Sequence, residues 1–159
     1  MGFTLTVKGQ ETIFYGVDVI TSAHMDVSTP INSLAKSTNV STTIWMTGKL
    51  IDESNSSDTH KLLEWSLVPA QRAEAYRDVT INVIAADQTF RTIEFPNAFV
   101  IQYNEIYTNT MGAGDFRLIL GQKVDQFDKI KTKGPQGLQS SDDSLGDFSS
   151  QKESPIMDF

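Results

Sequence analysis

Hydrophobic and polar residues alternate along much of the chain, which is the pattern of half-buried β-strands. At the start, Phe3, Leu5 and Val7 are separated by polar side chains. Later stretches are rich in β-branched and aromatic residues, which favour strands. The pattern predicts strands in the ranges 3–8, 12–19, 43–51, 79–83, 90–95, 98–107 and 116–120. The chain is therefore predicted to be mainly β, forming a barrel or a sandwich.

One short α-helix is predicted between the two groups of strands. Leu62, Leu63 and Trp65 form an apolar stripe at helical spacing. Ser57 or Asp58 can cap the first turn, because either side chain accepts a hydrogen bond from a free backbone N–H. We expect the three apolar side chains to dock the helix on the sheet.

Further predictions concern a second helical segment, two interruptions of the strands and the placement of the tryptophans. Residues 70–76 have high helix propensity and are predicted to add two helical turns after Pro69. Residues 96 and 97 are expected to interrupt strand pairing, since proline lacks a ladder donor. The sequence MGAGD at 111–115 is predicted to be a turn. Trp45 and Trp65 are both predicted to lie in the core.

A long polar segment at 28–43 stands out from this pattern. It carries isolated apolar residues, namely Pro30, Ile31, Leu34 and Val40. Loops of this length are uncommon in small domains unless they are functional or packed on a partner. We therefore expect the segment to form an interface.

The composition changes near residue 125. We expect a β domain at 1–124 and a C-terminal extension at 125–159. Residues 134–159 carry five acids against one base and are rich in Ser, Gly and Gln, so they cannot bury enough apolar surface to fold alone. If this tail is ordered, it must dock on a surface, either in a lumen or on a neighbouring subunit. Its expected anchors are Leu145, Phe148, Ile156 and Phe159.

The overall charge and composition argue against several classes of function. The net charge of −7 argues against a nucleic-acid binder, which needs a basic face. Without cysteine, disulfides and thiolate sites are excluded. The first 15 residues lack the pattern of a signal peptide, and no stretch approaches the ~20 apolar residues of a membrane span. We therefore expect the protein to assemble in the cytoplasm.

Signals for catalysis are weak. The two histidines, His24 and His60, would need a carboxylate such as Asp26 or Glu64 to form a metal site, and ordinary surface roles fit them better. The sequence has no phosphate-binding loop, nucleophile elbow or dinucleotide fingerprint. We predict that the protein is not an enzyme and holds no metal or cofactor.

Four sequence segments resemble tube proteins of contractile injection systems, which include Hcp-like subunits of type VI secretion and tube subunits of phage tails. The resemblance covers about 58–124 and has no counterpart for the tail. It rests on KLLEW at 61–65, DVTINV at 78–83, EFPNAF at 94–99 and the final strand at 116–121.

This resemblance implies a structural role. Such subunits form six-membered rings that stack into a hollow tube, with strands of neighbouring subunits extending one another around the lumen. The loop at 28–43 would then reach the next ring. The implied partners are copies of this chain, a sheath, a baseplate or spike and an effector cargo in the lumen, and sheath contraction would expel the tube from the cell.

Two alternatives stay open at this stage. One is a monomeric β-sandwich that acts as a binding or adhesion module. The other is an enzyme, such as a hydrolase whose active site has no recognisable motif.

Overall fold

Strands dominate the computed structural model, which describes residues 1–31, 40–51, 58–109, 113–122 and 129–135. The described part contains eight strands, one α-helix and one 3₁₀ turn. In chain order these are β1 (Gly2–Lys8), β2 (Thr12–Tyr15), β3 (Ile20–Ser28), β4 (Ser41–Lys49), α1 (His60–Ser66), the 3₁₀ turn (Ala73–Ala75), β5 (Arg77–Ala85), β6 (Gln88–Thr108), β7 (Ala113–Gln122) and β8 (Lys131–Lys133). The predicted mainly β fold class with one short helix is confirmed.

The strands are joined in the order β2-β1-β5-β6-β7-β4-β3, and β8 pairs with β6. Each of these pairs is antiparallel. β1 and β3 also lie in contact although they are not paired, so the sheet curls around one core. β8 lies within the segment predicted to be the extension, and the division of the chain near residue 125 stays a prediction.

The long strand β6 links two halves of the sheet. Its first half pairs with β5 and β8, whereas its second half pairs with β7. The change occurs at Pro96 and Asn97, which the register of β5 skips. Asn97 adopts a left-handed φ of 52°, and its N–H donates to Oδ1 of Asp78 at 3.1 Å. This kink lets one strand belong to both halves, because a local break in the ladder bends the strand.

The core fills the space between the two halves and is closed by α1. Leu62 and Trp65 are buried, while Leu63 is half-buried. The buried Tyr15 hydroxyl donates to the carbonyl of Asp58 at 2.9 Å, just before the helix. Oδ1 of Asp58 accepts from the N–H of His60 at 2.8 Å and thereby satisfies a free donor of the first turn. The core consists of Leu5, Val7, Ile13, Tyr15, Val19, Ile20, Ile44, Met46, Leu62, Trp65, Val79, Ile81, Ile93, Phe95, Ala98, Phe116, Leu118 and Leu120.

Two local predictions are wrong. Residues 70–76 form a single 3₁₀ turn rather than two helical turns, because tertiary contacts outweigh propensity there. The carbonyl of Ala75 accepts a hydrogen bond from the buried indole of Trp65 at 2.9 Å, which fixes this segment. Of the turn predicted at 111–115, residues 111 and 112 lie outside the described residues, whereas 113–115 belong to strand β7 and pair with 106–108 of β6.

Gly48 of β4 lies where the chain has no room for a side chain. A Cβ at this position would lie 2.5 Å from ring atoms of the buried Phe116 and 2.8 Å from the carbonyl oxygen of Val19. Overpacking of this kind costs roughly 1–3 kcal/mol. We therefore expect Gly48→Ala to lower the free energy of unfolding by about that amount in urea titration. The matched control is Gly134→Ala, where a Cβ meets no atom within 4 Å; equal stability of the two variants would contradict the close approach.

Candidate subunit interfaces

The second half of the sheet ends in two edges without a strand partner among the described residues. β3 pairs with β4 on one side and has no described strand partner on the other, although β1 contacts it. β6 pairs with β7 from Ala98 to Thr108, but β5 leaves β6 at Ala98, so the opposite side of the rest of β6 also has no described strand partner, although α1 contacts β6. Open edges present rows of N–H and C=O groups that can pair with another chain.

The two edges are complementary in direction. The order within this half is β6-β7-β4-β3, and every neighbouring pair is antiparallel. After three reversals, β3 runs antiparallel to β6. A copy of the chain can therefore place its β3 beside β6 of its neighbour and continue an antiparallel sheet.

Strand β3 was missed in the sequence. After the buried Ile20, the odd positions Ala23 and Met25 are half-buried, but Val27 is half-exposed and the even positions from Ser22 onward are polar. Because the alternation of apolar and polar residues is weak, the sequence pattern does not identify this edge strand, which has a described strand neighbour on one edge only.

The outer face of this half of the sheet carries an exposed tryptophan. Trp45 is 50% exposed, and the prediction that it lies in the core is wrong. Its neighbours Ile44 and Met46 point into the core. Because successive side chains of a strand point to opposite faces, the Trp45 side chain points outward. The indole N–H donates to Oγ1 of Thr43 at 3.2 Å, which holds the ring against its own strand.

Trp45 lines a groove of about 330 Å³ that crosses four strands. In register across the sheet, His24 faces Trp45, and Trp45 faces Ile119. The next row brings Arg117 beside Thr47 and Asn104. Among the residues that line the groove, the titratable ones are His24 and Arg117, which are both basic. The other lining residues are Ser22, Trp45, Met46, Thr47, Gln102, Asn104, Leu118 and Ile119.

Beside the open edge of β6, two phenols share one carboxylate. The Tyr103 hydroxyl donates to Oε1 of Glu105 at 2.8 Å, and the Tyr107 hydroxyl donates to Oε2. Burial raises the pKa of Tyr103, and the hydrogen bond to Glu105 raises it further. The same carboxylate raises the pKa of the exposed Tyr107. Both phenols act as donors at neutral pH, and their hydrogen bonds to Glu105 join three side chains along the end of β6.

The residues predicted for ring stacking lie on either side of a segment outside the described residues. Pro30 and Ile31 are exposed directly after β3, and the Ile31 side chain is fully open to solvent. Val40 is half-buried just before β4. Leu34 lies outside the described residues, as do the tail anchors Leu145, Phe148, Ile156 and Phe159. The structure thus places part of the predicted loop at the open β3 edge and leaves the role of these residues as a prediction.

Neither histidine belongs to a metal-binding group within the described part of the chain. His24 lies in the groove described above, and His60 contacts Glu64 through an Nε2–Oε1 distance of 3.5 Å on the surface of α1. The described residues contain no group of three or more ligands that could hold a metal ion. They also contain no helix long and apolar enough to cross a membrane.

Solved structures with this fold are known. Hcp1 from Flavobacterium johnsoniae is 18% identical, with a TM-score of 0.57 over 84% of this chain and 96% of that chain. A chain of the sheath–tube complex of the extracellular contractile injection system PVC, in the extended state, is 16% identical, with a TM-score of 0.55 over 84% and 88%. A chain of the anti-feeding prophage (AFP) baseplate, 6-fold symmetrised, is 11% identical, with a TM-score of 0.50 over 84% and 93%.

The chain therefore has the Hcp-like fold of tube proteins from contractile injection systems. At these identities the likeness concerns the fold. No protein-family model matches the sequence, and the search of curated proteins found no match.

Proposed function

We propose that this protein is a structural subunit of the inner tube of a contractile injection system or phage-tail-like particle. Six copies close into a ring through their open β3 and β6 edges, and rings stack into a hollow tube. The role is mechanical and needs no catalytic residue. The tube is built in the cytoplasm and leaves the cell when a sheath contracts.

The observation that carries this proposal is the pair of complementary open edges on one half of the sheet. Because β3 and β6 run in opposite directions, the same contact can repeat from copy to copy without changing its geometry. A repeated head-to-tail contact closes into a ring when its rotation fits a whole number of copies. Main-chain pairing then joins the subunits into one continuous sheet around the lumen.

The fold likeness supports the choice of partners. One of the similar chains comes from a sheath–tube complex, and another comes from a 6-fold symmetrised baseplate. By analogy, a sheath covers the tube of this protein, a baseplate or spike caps one end, and the lumen carries an effector cargo.

Size-exclusion chromatography followed by negative-stain electron microscopy tests the proposal. We expect rings of one diameter and, at high concentration, tubes of that diameter. A protein that stays monomeric at all concentrations would instead favour the alternative of a binding module. That alternative draws on the same exposed groove around Trp45, whose indole is available to a ligand in a monomer.

The loop at 28–43 gives a separate prediction about stacking. We expect deletion of residues 32–39 to leave the fold and single rings intact but to abolish long tubes. The physical reason is that exposed apolar side chains such as Ile31 flank this segment and have no partner in their own sheet. Microscopy of the deletion variant beside the parent gives the answer, and tubes of normal length would refute the stacking role.

A further inference from the structure

The groove around Trp45 carries binding groups that the described part of the chain leaves unused. The indole is half-exposed, and its N–H bond to Thr43 leaves the aromatic face free. The side chains of Arg117 and His24 make no hydrogen bond or ion pair with other described residues. Tryptophan and arginine are the residues most enriched at energetic centres of interfaces. Their meeting on one exposed face indicates a docking site for a partner with aromatic or apolar groups and negative charge.

Residues 136–159 of the same chain have this chemistry. They carry five acids against one lysine and include two phenylalanines, an isoleucine, a methionine and two leucines. The acids and apolar residues alternate in the last part, where Glu153, Ile156, Asp158 and Phe159 lie within seven positions. Carboxylates can pair with Arg117 while an apolar side chain covers Trp45.

The chain is long enough to reach the groove. The last described strand, β8, ends at Lys133 opposite Thr92 of β6, and Arg117 lies opposite Asn104. Twelve residues along β6 separate these points, which is at most ~40 Å. The 24 residues from 136 to 159 span up to about 80 Å when extended, so residues 148–159 can reach the groove even though β8 points away from it.

We propose that residues 148–159 dock in the groove formed by Trp45, His24 and Arg117. An acidic residue pairs with Arg117, and Phe159 or Ile156 covers the indole. Attachment to the same chain gives the segment an effective concentration in the millimolar range, so weak contacts suffice. The docked segment carries Glu153 and Asp158 against Lys152, and by covering Trp45 it changes what else can bind on this face.

The experiment uses the full chain and the absence of native cysteine. Ser154→Cys is labelled with a nitroxide, and both tryptophans are replaced by 5-fluorotryptophan. We expect the nitroxide to broaden the fluorine signal of Trp45 more than that of Trp65, because broadening falls steeply with distance, Trp45 lines the groove and Trp65 lies in the core on the other face of the sheet. Trp65 therefore serves as an internal reference. Reduction of the nitroxide restores the Trp45 signal.

Charge variants then identify the site. Arg117→Gln is expected to lower the ratio of docked to free tail on the order of tenfold, because a charge-assisted hydrogen bond is lost. Lys131→Gln is the matched control, since Lys131 lines a separate surface cavity with Lys8 and Lys129. Broadening that is absent, equal for both tryptophans, or lost in Lys131→Gln but kept in Arg117→Gln overturns the proposal. The readout needs no ring assembly, so it is independent of the proposed function.

Discussion

Replacing Trp65 by alanine is expected to lower the free energy of unfolding by roughly 3–5 kcal/mol. The side chain is 2% exposed and lies where α1 closes the core. Its indole N–H donates to the carbonyl of Ala75, which loses its partner in the variant. The Arg77 guanidinium lies 5.2 Å from the ring centre and also loses its contact. Urea titration of parent and variant measures the difference.

Trp45→Ala is the control for this prediction, because it makes the same chemical change on an exposed face. Trp45 is 50% exposed, so its removal empties no buried space. We expect the urea midpoint of Trp45→Ala to stay close to that of the parent. A Trp65→Ala variant that unfolds at the same midpoint as Trp45→Ala would show that α1 is not docked through Trp65.

The sequence predicted those parts of the fold that are determined by the local order of apolar, polar and proline residues. Ile44 and Met46 alternate with polar or exposed neighbours, so β4 was found, although it begins at Ser41 rather than Thr43. The kink after Phe95 was also found, because proline must leave the ladder. The prediction of two helical turns at 70–76 failed because Trp65 fixes that segment by a hydrogen bond from another element, and local propensity does not describe such contacts.

The candidate interface was harder to predict than the fold. Trp45 was assigned to the core from its residue type, although its position between two inward-facing residues already turned it outward. The open edges of β3 and β6 could not be found from local patterns, because an edge is defined by which strands are absent beside it. The meeting of Trp45, His24 and Arg117 depends on the register of three strands and is visible once the sheet is known.

Cysteine pairs placed across the open edges are expected to form disulfides between neighbouring subunits. The cross-linked species should range from dimers up to the number of subunits in the closed ring. The exposed positions Ser22, His24 and Asp26 on β3 can each be combined with Gln102, Asn104 and Ile106 on β6. Within one subunit β3 and β6 are separated by three strand spacings, about 14 Å, which is too far for a disulfide. Across a new antiparallel pair, facing Cα atoms lie about 4.5–5.5 Å apart, which is within the range of a disulfide.

Because the chain has no native cysteine, every cross-linked band in this experiment comes from the engineered pair. Electrophoresis without reductant should show a ladder for the pairs that match the true register, and the last step of the ladder counts the subunits in the ring. Each single-cysteine variant can yield a dimer at most, which separates random collisions from edge pairing. Since β-strand register repeats every two residues, a matching pair should have a partner shifted by two positions on both strands, for example His24 with Asn104 and Asp26 with Gln102. If none of the nine pairs forms species larger than a dimer under conditions in which microscopy shows rings, the rings are closed by a surface other than the β3 and β6 edges.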